Sequence, residues 1–143
     1  QSFINPASID IRIGKSMKAE GPVGFYDVDL TQYTENKPYM IYPKAFALVA
    51  TYETIAVPNG YAIDLRLKSS RAREGWDHSL AFWVDAGWYG ILTMEITNNL
   101  KWHQLPIWCG LKFAQIIVHQ LDRLVEHPYS GRYKNATAVE AVK

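Results

Sequence analysis

The stretch HSLAFWVDAGWYGILTMEITNN, residues 78–99, joins two runs of apolar and β-branched residues through a glycine-containing turn at residues 85–87. In the second run apolar and polar side chains alternate, as they do in a strand with one face on the core. The apolar face consists of Leu92, Met94 and Ile96, and the polar face of Thr93, Glu95 and Thr97. Two acids remain to be explained, Asp85 in the turn and Glu95 on the polar face.

Similar short runs recur along the chain, separated by turn formers such as Pro58, Asn59 and Gly60. The runs are ASIDIRIG (7–14), KPYMIYP (37–43), FALVATYETIAVP (46–58), YAIDLRLKS (61–69), HSLAFWV (78–84), GILTMEITN (90–98), QLPIW (104–108) and KFAQIIVHQLD (112–122). Only SSRAREG predicts a helical turn, capped by Ser69 or Ser70. The sequence therefore predicts an all-β fold, a β-barrel or a jelly-roll-like sandwich.

Composition and charge restrict the function classes. The 143 residues are 48% hydrophobic, enough for one packed domain. The formal net charge is +1, and the sequence has no cluster of Lys and Arg that could bind the phosphates of a nucleic acid. A nucleic-acid polymer is therefore not expected as a partner. The single Cys109 suits a reducing cytosol. No apolar run is long enough for a bilayer and no signal peptide is evident, so we expect a soluble, cytoplasmic protein without a membrane partner.

The last part of the chain differs from the rest. Residues 1–126 carry the alternating runs and are predicted to form a single β domain. Residues 127–143 lose the alternation and gain basic and small residues, which predicts a mobile tail. Such a tail can be inert or can close over a ligand.

Each candidate site residue also has an ordinary structural explanation. Glu95 alone is most simply a solvated strand glutamate, and Asp85 a turn residue that satisfies its own backbone. The segment LRLKSSRAREG, residues 65–75, combines hydroxyls, turn amides and cations that suit a phosphate chain, but a helix cap with solvated charges fits equally well. Trp83 could form one wall of a base-sized pocket. The histidines have no metal-ligand spacing, so no protein metal ligand is predicted.

Five segments in order resemble the motifs of the dCTP deaminase branch of the dUTPase superfamily. They are INPASIDIRIG, KSSRAR, HSLAFWVDAGWYGILTMEITNN, GLKFAQIIV and HPYSGRYKN. The resemblance implies a distorted all-β barrel that assembles as a homotrimer, with nucleotide sites at the subunit boundaries. It also implies deamination of dCTP without a catalytic metal. Because both Asp85 and Glu95 are present, the chain is similar to bifunctional members that take dCTP to dUMP.

The resemblance assigns catalytic roles to five residues. Glu95 matches the acid and base that takes a proton from water and delivers protons to the cytosine ring and to ammonia. Ser69 and the backbone carbonyl of Ala81 would hold that water, and Arg73 would orient Glu95. Asp85 matches the aspartate that contacts the deoxyribose and, in dUTPases, activates the water that attacks the phosphate chain.

Further residues are implied to bind the substrate, dCTP or dUTP. Those matched to the triphosphate are Lys68, Ser70 and Gln115. Those matched to the base, the sugar or the closing tail are Trp83, Val84, Tyr129 and Arg132. Mg²⁺ is expected on the triphosphate oxygens and not in a protein cage.

The chain also departs from the family pattern. Glu74 and Asp77 place negative charge beside the implied phosphate site, and Ala136 stands where the tail would carry a glutamine. Two alternatives to a deaminase therefore remain. One is a plain dUTPase that uses Asp85 and leaves Glu95 idle, and the other is a nucleotide-binding or structural trimer without turnover.

Overall fold

The computed structural model describes residues 2–79 and 81–142, and these residues form antiparallel sheets. The strands are β1 (Ile9–Gly21), β2 (Gly24–Asp29), β3 (Tyr39–Ile41), β4 (Phe46–Ala56), β5 (Tyr61–Leu67), β6 (Trp76–His78), β7 (Trp83–Val84), β8 (Tyr89–Asn98), β9 (Leu105–Ile107) and β10 (Lys112–Gln120). The helices are α1 (Ser69–Glu74) and a 3₁₀ turn (Leu30–Gln32). The all-β prediction is confirmed.

The main sheet has eight strands and curls around the core as a half-barrel. Its path runs β6-β8-β4-β1-β10-β5-β7, and β2 pairs with β1 beside this path. Strands β3 and β9 form a separate two-stranded sheet. Because neighbouring strands are mostly far apart in the chain, residues from distant segments meet on one sheet surface.

Strand β1 bends and so serves two parts of this sheet. Its first half pairs with β10 and its second half with β2 and β4, with register shifts after Ile11 and after Ile13. At the bend, a Cβ on Gly14 would lie 2.5 Å from the carbonyl oxygen of Thr51. Only glycine lets the two backbones approach this closely.

The alternation predicted for β8 is confirmed. Its apolar side chains are buried in a core that also contains Trp76 and Phe113, whose rings pack edge to face at 5.4 Å. Thr93, Glu95 and Thr97 are only half-buried and lie on the opposite face. The fold therefore presents Glu95 on the sheet surface away from the core.

Two local predictions are wrong. The run HSLAFWV is not one strand, because β6 pairs with β8 whereas β7 pairs with β5 on the other end of the sheet. Neither Ser69 nor Ser70 caps α1, because the N-cap is Lys68. The backbone N–H of Lys68 donates to Phe113 at 3.0 Å, which keeps the chain extended through Lys68 and places both serines inside the helix.

The predicted tail lies against the barrel over its described residues, which end at residue 142. The backbone N–H of Asn135 donates to Tyr89 at 2.7 Å, and that of Ile91 donates to Ala136 at 2.9 Å. Val139 is buried against Leu48 and Ala50 of β4. The tail therefore continues the surface that begins on the polar face of β8. In the part of the chain described here, no helix is both long and apolar enough to cross a bilayer.

Candidate active site

A cavity of about 600 Å³ lies over the polar face of β8, between the turn before β8 and the tail. Its walls include seven aromatic side chains, Phe25, Phe46, Phe82, Trp83, Trp88, Tyr129 and Tyr133. Six of the predicted site residues line it, Ala81, Trp83, Val84, Asp85, Glu95 and Tyr129. The size and the aromatic walls suit a small organic ligand with a flat ring.

Glu95 stands in the wall of this cavity with its carboxyl partly removed from water. Burial raises its pKa above the ordinary value, and the backbone hydrogen bond and the charge of His78 only partly oppose the rise. Its carbonyl accepts a hydrogen bond from the N–H of Ser79 at 3.1 Å, which ties β8 to the chain leaving β6. A carboxyl with a raised pKa is a stronger proton acceptor than an ordinary carboxylate.

Ala81 lies opposite Glu95 and shares a second, smaller cavity with it. The N–H of Ala81 donates to Ser79 at 2.8 Å, and the next carbonyl, of Phe82, accepts from Leu65 of β5 at 2.8 Å. These bonds fix the segment that passes the carboxyl. The smaller cavity has a volume of about 10 Å³, near the minimum of roughly 10–15 Å³ that one water molecule needs.

Asp85 occupies the turn before β8. Its Oδ1 accepts from the indole Nε1 of Trp83 at 3.2 Å. Trp83 is half exposed and its ring packs on the imidazole of His119 at 5.5 Å. The acid and the tryptophan therefore form one polar and aromatic corner of the cavity.

The remaining predicted residues of the core domain lie elsewhere, around α1 and the β1–β10 pair. The ammonium of Lys68 binds Oδ1 of Asp10, and the hydroxyl of Ser8 donates to Oε1 of Gln115 at 2.9 Å. Ser69, Ser70 and Arg73 are exposed on α1. None of these residues lines the large cavity. The structure thus divides the predicted site residues into two groups on one chain.

Asp10 is the buried acid of this second group. Burial would raise its pKa, but hydrogen bonds from Lys68, Asn5 and Lys112 outweigh burial, and the pKa is lowered. The carboxylate therefore holds both lysines, Lys68 just after β5 and Lys112 at the start of β10. Within residues 2–79 and 81–142, no three His, Cys, Asp or Glu side chains are placed to hold a metal ion.

The two groups also differ in charge. The described lining of the large cavity contains the acidic residues Asp85, Glu95 and Glu140 and no Lys, Arg or His. The second group carries the cations. Arg132 is exposed on the tail and does not line the cavity. One chain therefore offers a surface for an uncharged ring and, separately, a surface for anionic oxygens.

The cavity residues that sequence reasoning missed include Trp88, Tyr133 and Glu140. In the sequence, Trp88 directly follows the turn motif, and this position could have indicated it. In the structure its ring packs on Tyr129, with the ring centres 5.2 Å apart. Glu140 lies in a segment without periodicity. Its contact with the cavity depends on how the tail folds back, which no local pattern reveals.

Comparisons with known proteins agree on one family. A family model described as dCTP deaminase-like matches residues 1–121. The chain is 33% identical over 141 residues to a dUMP-forming dCTP deaminase of Acidothermus cellulolyticus, and the match covers 91% of this chain and 73% of the relative.

Solved structures show the same fold. A 2'-deoxycytidine 5'-triphosphate deaminase from Agrobacterium tumefaciens superposes with a TM-score of 0.67 at 22% identity. The superposition covers 81% of this chain and 39% of that one. The native EIAV dUTPase superposes with a TM-score of 0.52 at 27% identity, over 64% of this chain and 75% of that one. The distorted barrel expected from the sequence is confirmed.

Proposed function

Because the chain belongs to the dCTP deaminase-like family, we propose that it hydrolyses dCTP to dUTP and ammonia. The observation that carries this proposal is Glu95, a half-buried carboxyl with a raised pKa in the wall of an aromatic cavity. In this reaction water adds to C4 of cytosine, the C4–N bond breaks, and the amine leaves as ammonia. The aromatic walls hold the base while Glu95 moves the protons.

Glu95 supplies the proton transfers. As a carboxylate it takes a proton from the attacking water and passes it to N3 of the ring. It then takes the proton of the new hydroxyl on C4 and delivers it to the amine, so that the C4 carbonyl forms as the C4–N bond breaks and ammonia leaves. The carbonyl of Ala81 positions the water from the other side. The small cavity between Glu95 and Ala81, about 10 Å³, supports this placement because it adjoins both residues.

Ser69 and Arg73 complete the site from a neighbouring subunit. Both lie on α1, outside the cavity of their own chain, so we assign them to the cavity of an adjacent copy in a homotrimer. There the hydroxyl of Ser69 holds the water, and the guanidinium of Arg73 orients Glu95. The same assembly brings the cations of the second group to a cavity that lacks them.

The triphosphate is assigned to Lys68, Ser70 and Gln115 of the neighbouring copy, and Arg132 of the tail adds a further cation. Mg²⁺ enters on the triphosphate oxygens, which are hard ligands that this ion prefers. Asp10 is the nearby acid, but its oxygens already accept from Lys68, Asn5 and Lys112, so it fits an organising role better than a metal-ligand role.

The remaining cavity residues hold the nucleoside. Asp85 faces the sugar, Trp83 and Val84 form the wall beside it, and Tyr129 closes the cavity from the tail. Asp85 also gives the chain a group for a second step, in which water attacks the phosphate chain and dUMP and pyrophosphate form. The name of the Acidothermus relative, a dUMP-forming enzyme, supports this extension.

Trimeric assembly is the first prediction. A groove of about 350 Å³ has mainly apolar walls, and two of its residues, Ile9 and Val118, are 37% and 51% exposed. Burying such a surface between copies is favourable. Light scattering at micromolar concentration should give three times the mass of one chain, and a monomer would contradict the proposed site.

Complementation tests whether the site crosses the boundary. Arg73→Ala and Glu95→Gln chains should each be inactive alone, because each lacks one half of the site. When both are expressed together, some boundaries combine an intact Arg73 with an intact Glu95, and ammonia release from dCTP should return. No recovery in mixed trimers would place both residues in the site of one chain.

The triphosphate assignment gives a second prediction. Gln115→Ala and Ser70→Ala should each weaken dCTP binding by about 1 to 3 kcal/mol, the scale for losing a hydrogen bond to a charged group. Titration calorimetry with Mg²⁺ present measures the change. Gln120→Ala is the matched control, since this exposed glutamine ends the same strand. Unchanged isotherms for both variants would contradict the assignment.

A further inference from the structure

Glu140 lines the cavity although it lies in the tail, outside the five motif segments. Its backbone N–H donates to Oγ1 of Thr93 at 3.1 Å, and the N–H of Val139 donates to Oγ of Ser16 at 3.1 Å. Val139 is only 8% exposed. Two hydrogen bonds and one buried side chain therefore anchor this part of the tail against the sheet.

Two glycines let the tail approach the cavity from its other end. Gly90 has a φ of 143°, and a Cβ there would lie 2.9 Å from the nitrogen of Ala136. Gly87 has a φ of 89°, and a Cβ there would lie 2.6 Å from Cβ of Pro128. A side chain at Gly87 or Gly90 would push the tail away. The tail that contains Glu140 is therefore fixed on both sides of the cavity.

The anchor places Glu140 beside the reacting end of the cavity. Thr93 and Glu95 lie two residues apart on the same face of β8, so the tail residue bonded to Thr93 adjoins Glu95. Asp85 lies before the start of β8, at the other end. If Asp85 faces the sugar and Glu95 faces C4, Glu140 lies level with the base.

We propose that Glu140 determines base specificity by accepting a hydrogen bond from the exocyclic amine of cytosine. The proposal rests on the proposed function, because it needs a cytosine nucleotide in this cavity. A carboxylate oxygen accepts hydrogen bonds. Cytosine presents an amine at C4, whereas uracil presents a carbonyl oxygen that the carboxylate repels. Glu140 thus favours the substrate dCTP over the product dUTP.

The test compares dCTP and dUTP affinities in the Glu95→Gln chain, which should not turn dCTP over. Adding Glu140→Ala should raise the dissociation constant for dCTP by roughly ten-fold or more, the scale for losing a hydrogen bond to a charged group. The dissociation constant for dUTP should stay equal or become lower. Glu140→Gln should also reduce the preference for dCTP over dUTP, because an amide can accept a hydrogen bond from the cytosine amine or donate one to the uracil oxygen. Glu126→Gln, at an exposed glutamate outside the cavity, is the control.

A second variant separates recognition from simple closure of the tail. Val139→Ala loosens the anchor but keeps the carboxyl, so it should narrow the dCTP preference less than Glu140→Ala. The proposal would be overturned if Glu140→Ala lost affinity for dCTP and dUTP equally, or if its preference for dCTP over dUTP were unchanged. If the wild-type chain releases no ammonia but Glu140→Ala still shifts the preference, the deaminase function fails and the specificity role stands. No binding of either nucleotide would overturn both.

Discussion

Glu95→Gln is expected to lower ammonia release from dCTP by about a hundredfold or more, the scale for losing a general acid–base group, while dCTP still binds. Glutamine has the size of glutamate and keeps most of its hydrogen bonding, but it cannot take a proton from water. Glu20→Gln, at an exposed glutamate of β1, is the matched control and should behave as wild type. Deamination at the wild-type rate in Glu95→Gln would make Glu95 an ordinary strand residue.

The raised pKa of Glu95 gives the same variant a second readout. Burial favours the neutral form of Glu95 in the folded chain. The contribution of Glu95 to the free energy of unfolding is therefore present at low pH and is lost as the pH rises through the raised pKa. Glutamine stays neutral. Thermal unfolding of Glu95→Gln should therefore resemble wild type at pH 4 and occur at a higher temperature at pH 8. An equal shift at both pH values would contradict the buried-carboxyl explanation.

Asp85→Asn is expected to stop dUMP formation, so that dUTP accumulates from dCTP in its place. Asparagine keeps an oxygen for the indole of Trp83, so the corner of the cavity should survive. It cannot act as a base toward the water that attacks the phosphate chain. Binding should also weaken by about 1 to 3 kcal/mol, because a charged hydrogen bond to the sugar is lost.

Chromatography of the nucleotides after reaction with Mg²⁺ and dCTP separates dUTP from dUMP. Asp122→Asn is the control, since Asp122 is an exposed acid in the segment after β10. Formation of dUMP by Asp85→Asn at the wild-type rate, with unchanged dCTP affinity, would return Asp85 to the role of a turn residue. Loss of dUMP together with loss of deamination would indicate a general defect in nucleotide placement.

The long strands could be predicted because their patterns repeat over many residues. In β8 the alternation determined which face is buried, and in α1 the capping segment indicated a short helix, although the cap itself is Lys68. Strand β2 was missed because only Val28 is buried in it, and an exposed strand leaves little periodicity. The division between β6 and β7 was missed because a short apolar run does not reveal which strand each of its halves pairs with.

The candidate site could be predicted only in part. The motifs located Asp85 and Glu95, but no spacing in the sequence shows that α1 lies outside the cavity of its own chain. Burial of the Glu95 carboxyl depends on surrounding segments that are distant in the sequence. Glu140 reaches the cavity because the tail folds back and bonds to Thr93 and Ser16, and local patterns cannot encode such contacts.

Deamination of dCTP by this chain is tested by following ammonia, dUTP and dUMP together after the wild-type chain is mixed with dCTP and Mg²⁺. We expect one ammonia for each dCTP consumed, with dUTP or dUMP as the nucleotide product. Pyrophosphate release from dUTP without ammonia from dCTP would identify a dUTPase and contradict the claim. Nucleotide binding without either product would identify a trimer that has lost turnover and would contradict it equally.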